Sequence, residues 1–244
     1  MIERLVINRI VVSSFFVGVC SVSCSEMGRV PDSSSTSFFG SELSEAVSEE
    51  SGGRAKIVLL GDSITAGLGI SISDAYPAQL QALADRGGYG VEFLPRGESG
   101  GTTAGGVRRL AWSLDPDVRA VVIALGGNDG LRGLPIEQMY QNLERIITQV
   151  QEKGIHVVLV GMEAPPNFGS DYTAQFRLVF QRLAETYEIP FVPFLLEGVA
   201  GIADLNQEDG IHPNSEGARR VAEHLWPVVE ALLAELEEAP SVTR

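Results

Sequence analysis

Cysteine, histidine and positive charge are all scarce in this 244-residue chain, and each shortage narrows what it can be. The two cysteines, Cys20 and Cys24, stand close together near the N-terminus, so no disulfide is expected to bridge a domain folded from the rest. Three histidines, His156, His212 and His224, are scattered far from those cysteines, which leaves no ligand set for a metal, and no cofactor is expected. Lys and Arg number 18 against 32 Asp and Glu, a formal net charge of -14, so a nucleic acid partner is excluded for want of a basic stripe. Long apolar runs are missing as well. The most continuous one, residues 10–19, is broken by Ser13 and Ser14 and falls short of the roughly 20 apolar residues a membrane span needs.

That run has another reading. Arg4 and Arg9 precede it, as in the charged and apolar regions of a secretory leader, so residues 1–24 are expected to direct export. Ser21-Val22-Ser23-Cys24 resembles a bacterial lipobox, with Cys24 as the residue that would carry lipid and a membrane anchor; Ser21 departs from the usual aliphatic residue there. Residues 25–53 are rich in Ser, Glu and Gly and carry too little apolar surface to offset the entropy of ordering, so they are expected to act as a tether.

From Arg54 onward the pattern changes. Short β-branched runs at residues 57–60, 91–94, 120–125, 157–160 and 191–192 alternate with stretches of helical periodicity at 76–85, 104–113, 136–152, 172–187 and 216–237. Strand and helix in alternation, without hairpin turns, predict a five-stranded parallel sheet covered on both faces: a three-layer αβα sandwich over residues 54–238, with a tail at 239–244. In such sheets ligands gather at the carboxyl ends of the strands.

Four segments with chemical potential follow strands or close the chain. The first strand runs into Gly61-Asp62-Ser63, the second into the bare-backbone stretch Ser99-Gly100-Gly101-Thr102, and the third into Gly126-Gly127-Asn128-Asp129. Near the end stands Asp209-Gly210-Ile211-His212-Pro213, where a carboxylate three residues from an imidazole can fix its tautomer and stabilise its protonated form. Each alone has a plain alternative: Gly-Asp-Ser is an ordinary helix cap, the glycine stretches are ordinary turns, and the Asp/His pair can cap the helix after Ser215. Their joint occurrence on one expected face favours acyl transfer.

Taken in order and spacing, these four segments resemble the four blocks of the SGNH (GDSL) hydrolases, over nearly all of residues 56–236, and most of all the bacterial thioesterase/lysophospholipase/arylesterase branch, through Gly126-Gly127-Asn128-Asp129-Gly130-Leu131-Arg132-Gly133. The resemblance implies a flavodoxin-like fold, Ser63 as nucleophile, His212 as general base and Asp209 as its orienting acid. It further implies an oxyanion hole from the Ser63 and Gly100 N–H groups and the Asn128 amide, and an acyl cleft bordered by the loop carrying Pro165, Asn167 and Phe168. One departure stands out: the branch usually has asparagine where this chain has Pro95, which offers no backbone donor.

The expected substrates are small acyl esters or thioesters, lysophospholipids among them, acted on by an exported, periplasmic or lipid-anchored monomer. Two alternatives remain at this level. A carbohydrate O-acetyl esterase would use the same residues. A flavodoxin-like module that merely holds a phosphate at its glycine turns would make Ser63 and His212 dispensable, but the chain has neither a Walker lysine nor a Gly-x-Gly-x-x-Gly turn after its first strand.

Overall fold

A computed structural model describes residues 54–238; the leader, Cys24, the tether and the 239–244 tail fall outside the described residues. The strands are β1 (Ala55–Gly61), β2 (Val91–Gly97), β3 (Val118–Ala124), β4 (His156–Val160) and β5 (Phe191–Val192). They form one sheet in the order β2-β1-β3-β4-β5, every pair parallel. Ile57 to Leu60 and Ala120 to Ile123 are fully buried, as continuous apolar runs must be when helices cover both faces of a parallel sheet.

The helices are α1 (Ser63–Ala66), α2 (Tyr76–Gly87), α3 (Thr103–Ser113), α4 (Gly127–Leu131), α5 (Ile136–Gln151), α6 (Ser170–Tyr187) and α7 (Ser215–Glu238). Helices α2 and α7 pack together as one outer layer, while α5 packs between α3 and α6 as the other. In α5 the buried residues Met139, Leu143, Ile146, Ile147 and Val150 recur at the three- and four-residue spacing that turns one face to the core. The expected three-layer αβα sandwich with five parallel strands is the fold observed.

The sheet order reverses around β1, which has β2 on one side and β3 on the other. A crevice opens at such a switch point, outside the carboxyl ends of the strands. Ser63 follows β1 and Asn128 follows β3, so the topology alone brings those two together at the crevice.

The structure departs from the sequence pattern mainly in the second strand. Rather than ending at Leu94, β2 continues through Pro95 to Gly97, with Pro95 opposite Leu59. A proline is tolerated there because β2 is the edge strand, paired with β1 alone. The stretch read as a glycine turn after β3 winds into α4, so Asn128 sits in the first turn of a short helix.

Candidate active site

Gly61 makes the turn out of β1 possible: a Cβ there would stand 1.8 Å from the Thr65 hydroxyl, so only glycine lets α1 fold back over the strand end. Asp62 caps α1, its Oδ1 accepting the Ile64 N–H at 3.1 Å. A buried 2.7 Å hydrogen bond between the Thr65 and Tyr76 hydroxyls pins α1 to α2. Ser63 is thus the first residue of a short, well-anchored helix, nearly buried yet facing the crevice.

His212 arrives from the loop before α7. Its Nε2 lies 2.8 Å from Ser63 Oγ and its Nδ1 2.6 Å from Asp209 Oδ2. The other Asp209 oxygen accepts the N–H groups of Ile211 at 2.9 Å and His212 at 3.0 Å, which explains the three-residue spacing: the carboxylate holds its own loop and the imidazole together. The His212 N–H, then the Ile211 N–H, then the imidazole pull the Asp209 pKa down to about 2. The carboxylate is therefore ionised at any working pH, as a partner for imidazolium must be.

Gly100 adopts φ +75°, a left-handed conformation that favours glycine, and its carbonyl accepts from Arg132 Nη2 at 2.9 Å. Among the described residues neither the Ser63 nor the Gly100 N–H has a hydrogen-bond partner. Asn128 lines the same cavity, its Nδ2 lying 3.4 Å from Asp62 Oδ2. Burial pushes the Asp62 carboxyl up to about 6, against the opposing pull of the Ile64 N–H, His212, Asn128 and Arg109. Ser63, Gly100 and Asn128 all line one cavity of about 460 Å³, together with Asp62 and His212. The rest of its lining is mostly apolar, with Leu68, Leu131, Met162, Pro165, Phe194 and Leu196 among its residues.

The loop expected at this cleft divides. Pro165 lines the cavity, as does Pro166. Asn167 and Phe168 lie outside it, on a 3₁₀ turn (Pro166–Phe168), because the turn swings the aromatic ring onto Tyr172, 5.4 Å between centroids, and over the bare face of Gly133. The other histidines stand apart: His156 is exposed at the start of β4, and His224 Nε2 meets the Phe194 carbonyl at 3.0 Å. Among the described residues no group of three His, Cys, Asp or Glu is gathered closely enough to hold a metal.

Two supports escaped the sequence reading. Thr103 donates its N–H at 2.9 Å and its hydroxyl at 2.6 Å to the buried Asp129 carboxylate, and Asn142 donates to the Thr103 hydroxyl at 3.1 Å. This ties the helix carrying Asn128 to the segment just after Gly100. Gln207 donates from Nε2 to the carbonyls of Leu68 at 2.7 Å and Pro213 at 2.9 Å, joining the loop after α1 to the loop of His212. Asp129 belongs to the Gly126-Gly127-Asn128-Asp129 motif; Asn142 and Gln207 sit in ordinary polar surroundings that carry no signal.

A hydroxyl, an imidazole and a carboxylate in line at the carboxyl edge of a parallel sheet, facing free backbone donors, are the parts of a serine-type ester hydrolase. Residues 59–220 match the profile of the GDSL-like lipase/acylhydrolase family, and the chain belongs to that family. It is similar to the Esterase TesA of Pseudomonas aeruginosa, 41% identical over 179 residues that cover 72% of this chain and 89% of that one. It is also similar to the thioesterase 1/protease 1/lysophospholipase L1 of Escherichia coli strain K12, 33% identical over 178 residues, covering 72% of this chain and 84% of that protein. A crystal structure of TesA superposes with a TM-score of 0.70 at 39% identity, over 72% of this chain and 99% of that one. The chain is accordingly an ester hydrolase with an SGNH fold.

Proposed function

We propose that Ser63 attacks the carbonyl of an acyl ester or thioester, with His212 as the base and Asp209 as its orienting acid. The observation that carries this is the unbroken relay from Ser63 Oγ through His212, 2.8 Å, to Asp209, 2.6 Å. As Ser63 Oγ bonds to the acyl carbon, its proton passes to His212 Nε2. The charge on the former carbonyl oxygen is met by the Ser63 and Gly100 N–H groups and the Asn128 amide, a contribution worth roughly 10²- to 10³-fold in rate per donor. Imidazolium then protonates the departing alkoxide or thiolate, leaving acyl-Ser63. Water, deprotonated by His212, attacks that ester, and collapse returns the serine and releases the acid.

The apolar wall of Leu68, Leu131, Met162, Phe194 and Leu196 supports an acyl chain rather than a sugar as the group bound beyond the carbonyl. Long-chain esters, thioesters and lysophospholipids share that chemistry, and their leaving groups would face solvent. The apolar run after Arg4 and Arg9 supports export, and Cys24 supports a lipid anchor. A Cys24→Ala variant that stays with the membrane fraction would remove the anchor from this account.

The test is fluorophosphonate labelling of the full chain with Ser63→Ala and His212→Ala beside it, together with hydrolysis of p-nitrophenyl esters from acetate to palmitate. Wild type alone should label and cleave, with kcat/KM rising beyond acetate. Activity confined to acetate would favour the O-deacetylase, and unimpaired variants would mean a site that does not use this serine.

A further inference from the structure

We propose that Arg109 is a positioning residue that holds the two backbone oxyanion donors in register, bridging the strand ends that carry them; the inference rests on the reaction proposed above. Ser63 and Gly100 leave β1 and β2 respectively, so the geometry between their N–H groups depends on how firmly those two strand ends are joined. The two strands pair in unbroken register as far as Gly61 and Gly97, and β2, as the edge strand, has no neighbour on its outer side to hold the loop that leaves it. Beyond Gly97 a single backbone bond, Glu98 N–H to the Gly61 carbonyl at 3.2 Å, connects the two loops.

Arg109 supplies the rest. From α3 it reaches over the strand ends, and its Nη2 donates to the Gly61 carbonyl, the peptide oxygen immediately before Asp62 and Ser63. Its Nη1 donates to Glu98 Oε2 at 2.8 Å, two residues before Gly100, and Nη2 lies 3.5 Å from the Arg96 carbonyl. One planar guanidinium thus grips both loops at once, which the single ammonium of lysine cannot do. Nη1 also comes within 3.2 Å of where a Gly101 Cβ would stand, so the donor loop is moulded closely around it.

The arrangement is costly for stability alone. The Arg109 side chain is mostly buried, and its Nε is buried with no hydrogen-bond partner, while Glu98 is 59% exposed. An unpaired buried donor is destabilising, and an aliphatic side chain would avoid it. A charged fork kept in such a place is explained by what it holds. The guanidinium also lies near enough to Asp62 to favour that carboxyl's ionised form.

The experiment compares full-length wild type, Arg109→Lys, Arg109→Met, Glu98→Ala and Ser63→Ala by kcat and KM on p-nitrophenyl butyrate, with thermal melts of each. Misplacing catalytic groups by about 1 Å costs on the order of 10²-fold. Arg109→Met should therefore lose roughly 30- to 100-fold in kcat with KM within about 3-fold, Arg109→Lys should recover only part of it, and Glu98→Ala should lose about 3- to 10-fold. If Arg109→Met does not fold, the partial losses in Arg109→Lys and in the exposed Glu98→Ala decide. Folded Arg109 variants with kcat within about 3-fold of wild type, or with effects confined to KM or melting temperature, would overturn the proposal. Ser63→Ala separates the two claims: hydrolysis persisting there removes the proposed reaction itself, whereas an inactive Ser63→Ala beside unaffected Arg109 and Glu98 variants removes only the role of Arg109.

Discussion

The carboxylate of Asp62 and the amide nitrogen of Asn128 face each other at 3.4 Å on the floor of the cleft, with Asp62 only 3% exposed. Asp62 therefore does two things: it caps α1, the helix that Ser63 opens, and it gives the Asn128 amide an anionic partner that fixes which way its N–H points. The cost appears in its pKa, raised by burial from 3.8 to about 6. Between those values the folded protein binds a proton that the unfolded chain releases, so this group's contribution to stability is greatest below pH 4 and declines as pH rises to about 6. The loss is on the order of 3 kcal/mol. Asp62→Asn should gain on wild type in urea denaturation as pH is raised from 4 to 7, while kcat falls about 10-fold because the Asn128 amide loses its anchor. A stability difference that does not change with pH would mean Asp62 is ionised throughout.

Asp209 presents the opposite case. Its pKa is held near about 2, first by the His212 N–H, so it contributes no titration to the working range and any acid limb of activity belongs to other groups. Asp209→Asn keeps an oxygen for the two backbone N–H groups but offers an amide to the imidazole in place of a carboxylate. The wrong tautomer is then favoured, and kcat should drop about 10²- to 10⁴-fold with little change in melting temperature. Steady-state kinetics beside a thermal melt checks both halves, and a drop under about 5-fold would take Asp209 out of the relay.

The proposed oxyanion donors can be separated by substitution. Asn128→Ala removes a side-chain donor alone and should cost about 10²- to 10³-fold in kcat with KM nearly unchanged. Gly100→Ala acts through the backbone: at φ +75° a Cβ is strained by roughly 1–2 kcal/mol, and it would stand 3.3 Å from Arg132 Nη2. That variant should lose both activity and thermal stability, where Asn128→Ala loses chiefly activity.

Most of the fold was legible because its signals are local and redundant. The runs at 57–60 and 120–125 are buried on both faces, so they read as continuous apolar strands, and the helices between them repeat with helical spacing. Residues 63, 128, 209 and 212 were legible because each sits in a short motif whose parts must be neighbours in sequence. What remained hidden depends on contacts between distant segments. Nothing near Gln207 reveals that it spans to Leu68, and nothing near Arg109 reveals the Gly61 carbonyl beneath it. The packing of Phe168 was hidden for a related reason: its proline-stiffened loop gives no sign in sequence that the ring rests on Tyr172 and the bare Gly133.

That placement gives a direct contrast for chain-length preference. In the wild type each methylene buried along Leu131, Met162 and Leu196 is worth about 0.8 kcal/mol, so kcat/KM should rise roughly 4-fold per carbon until the cavity is filled. Ala200 lies exposed on the cavity wall, so Ala200→Trp should fill part of the groove and move the optimum to shorter esters without unfolding the protein. Phe168→Ala should lower the melting temperature, since it strips the ring from Tyr172 and Gly133, yet leave the chain-length profile where it was. Measured on the same p-nitrophenyl series, a profile reshaped by Phe168→Ala and untouched by Ala200→Trp would mean that the acyl chain runs along the 3₁₀ turn instead of the cavity.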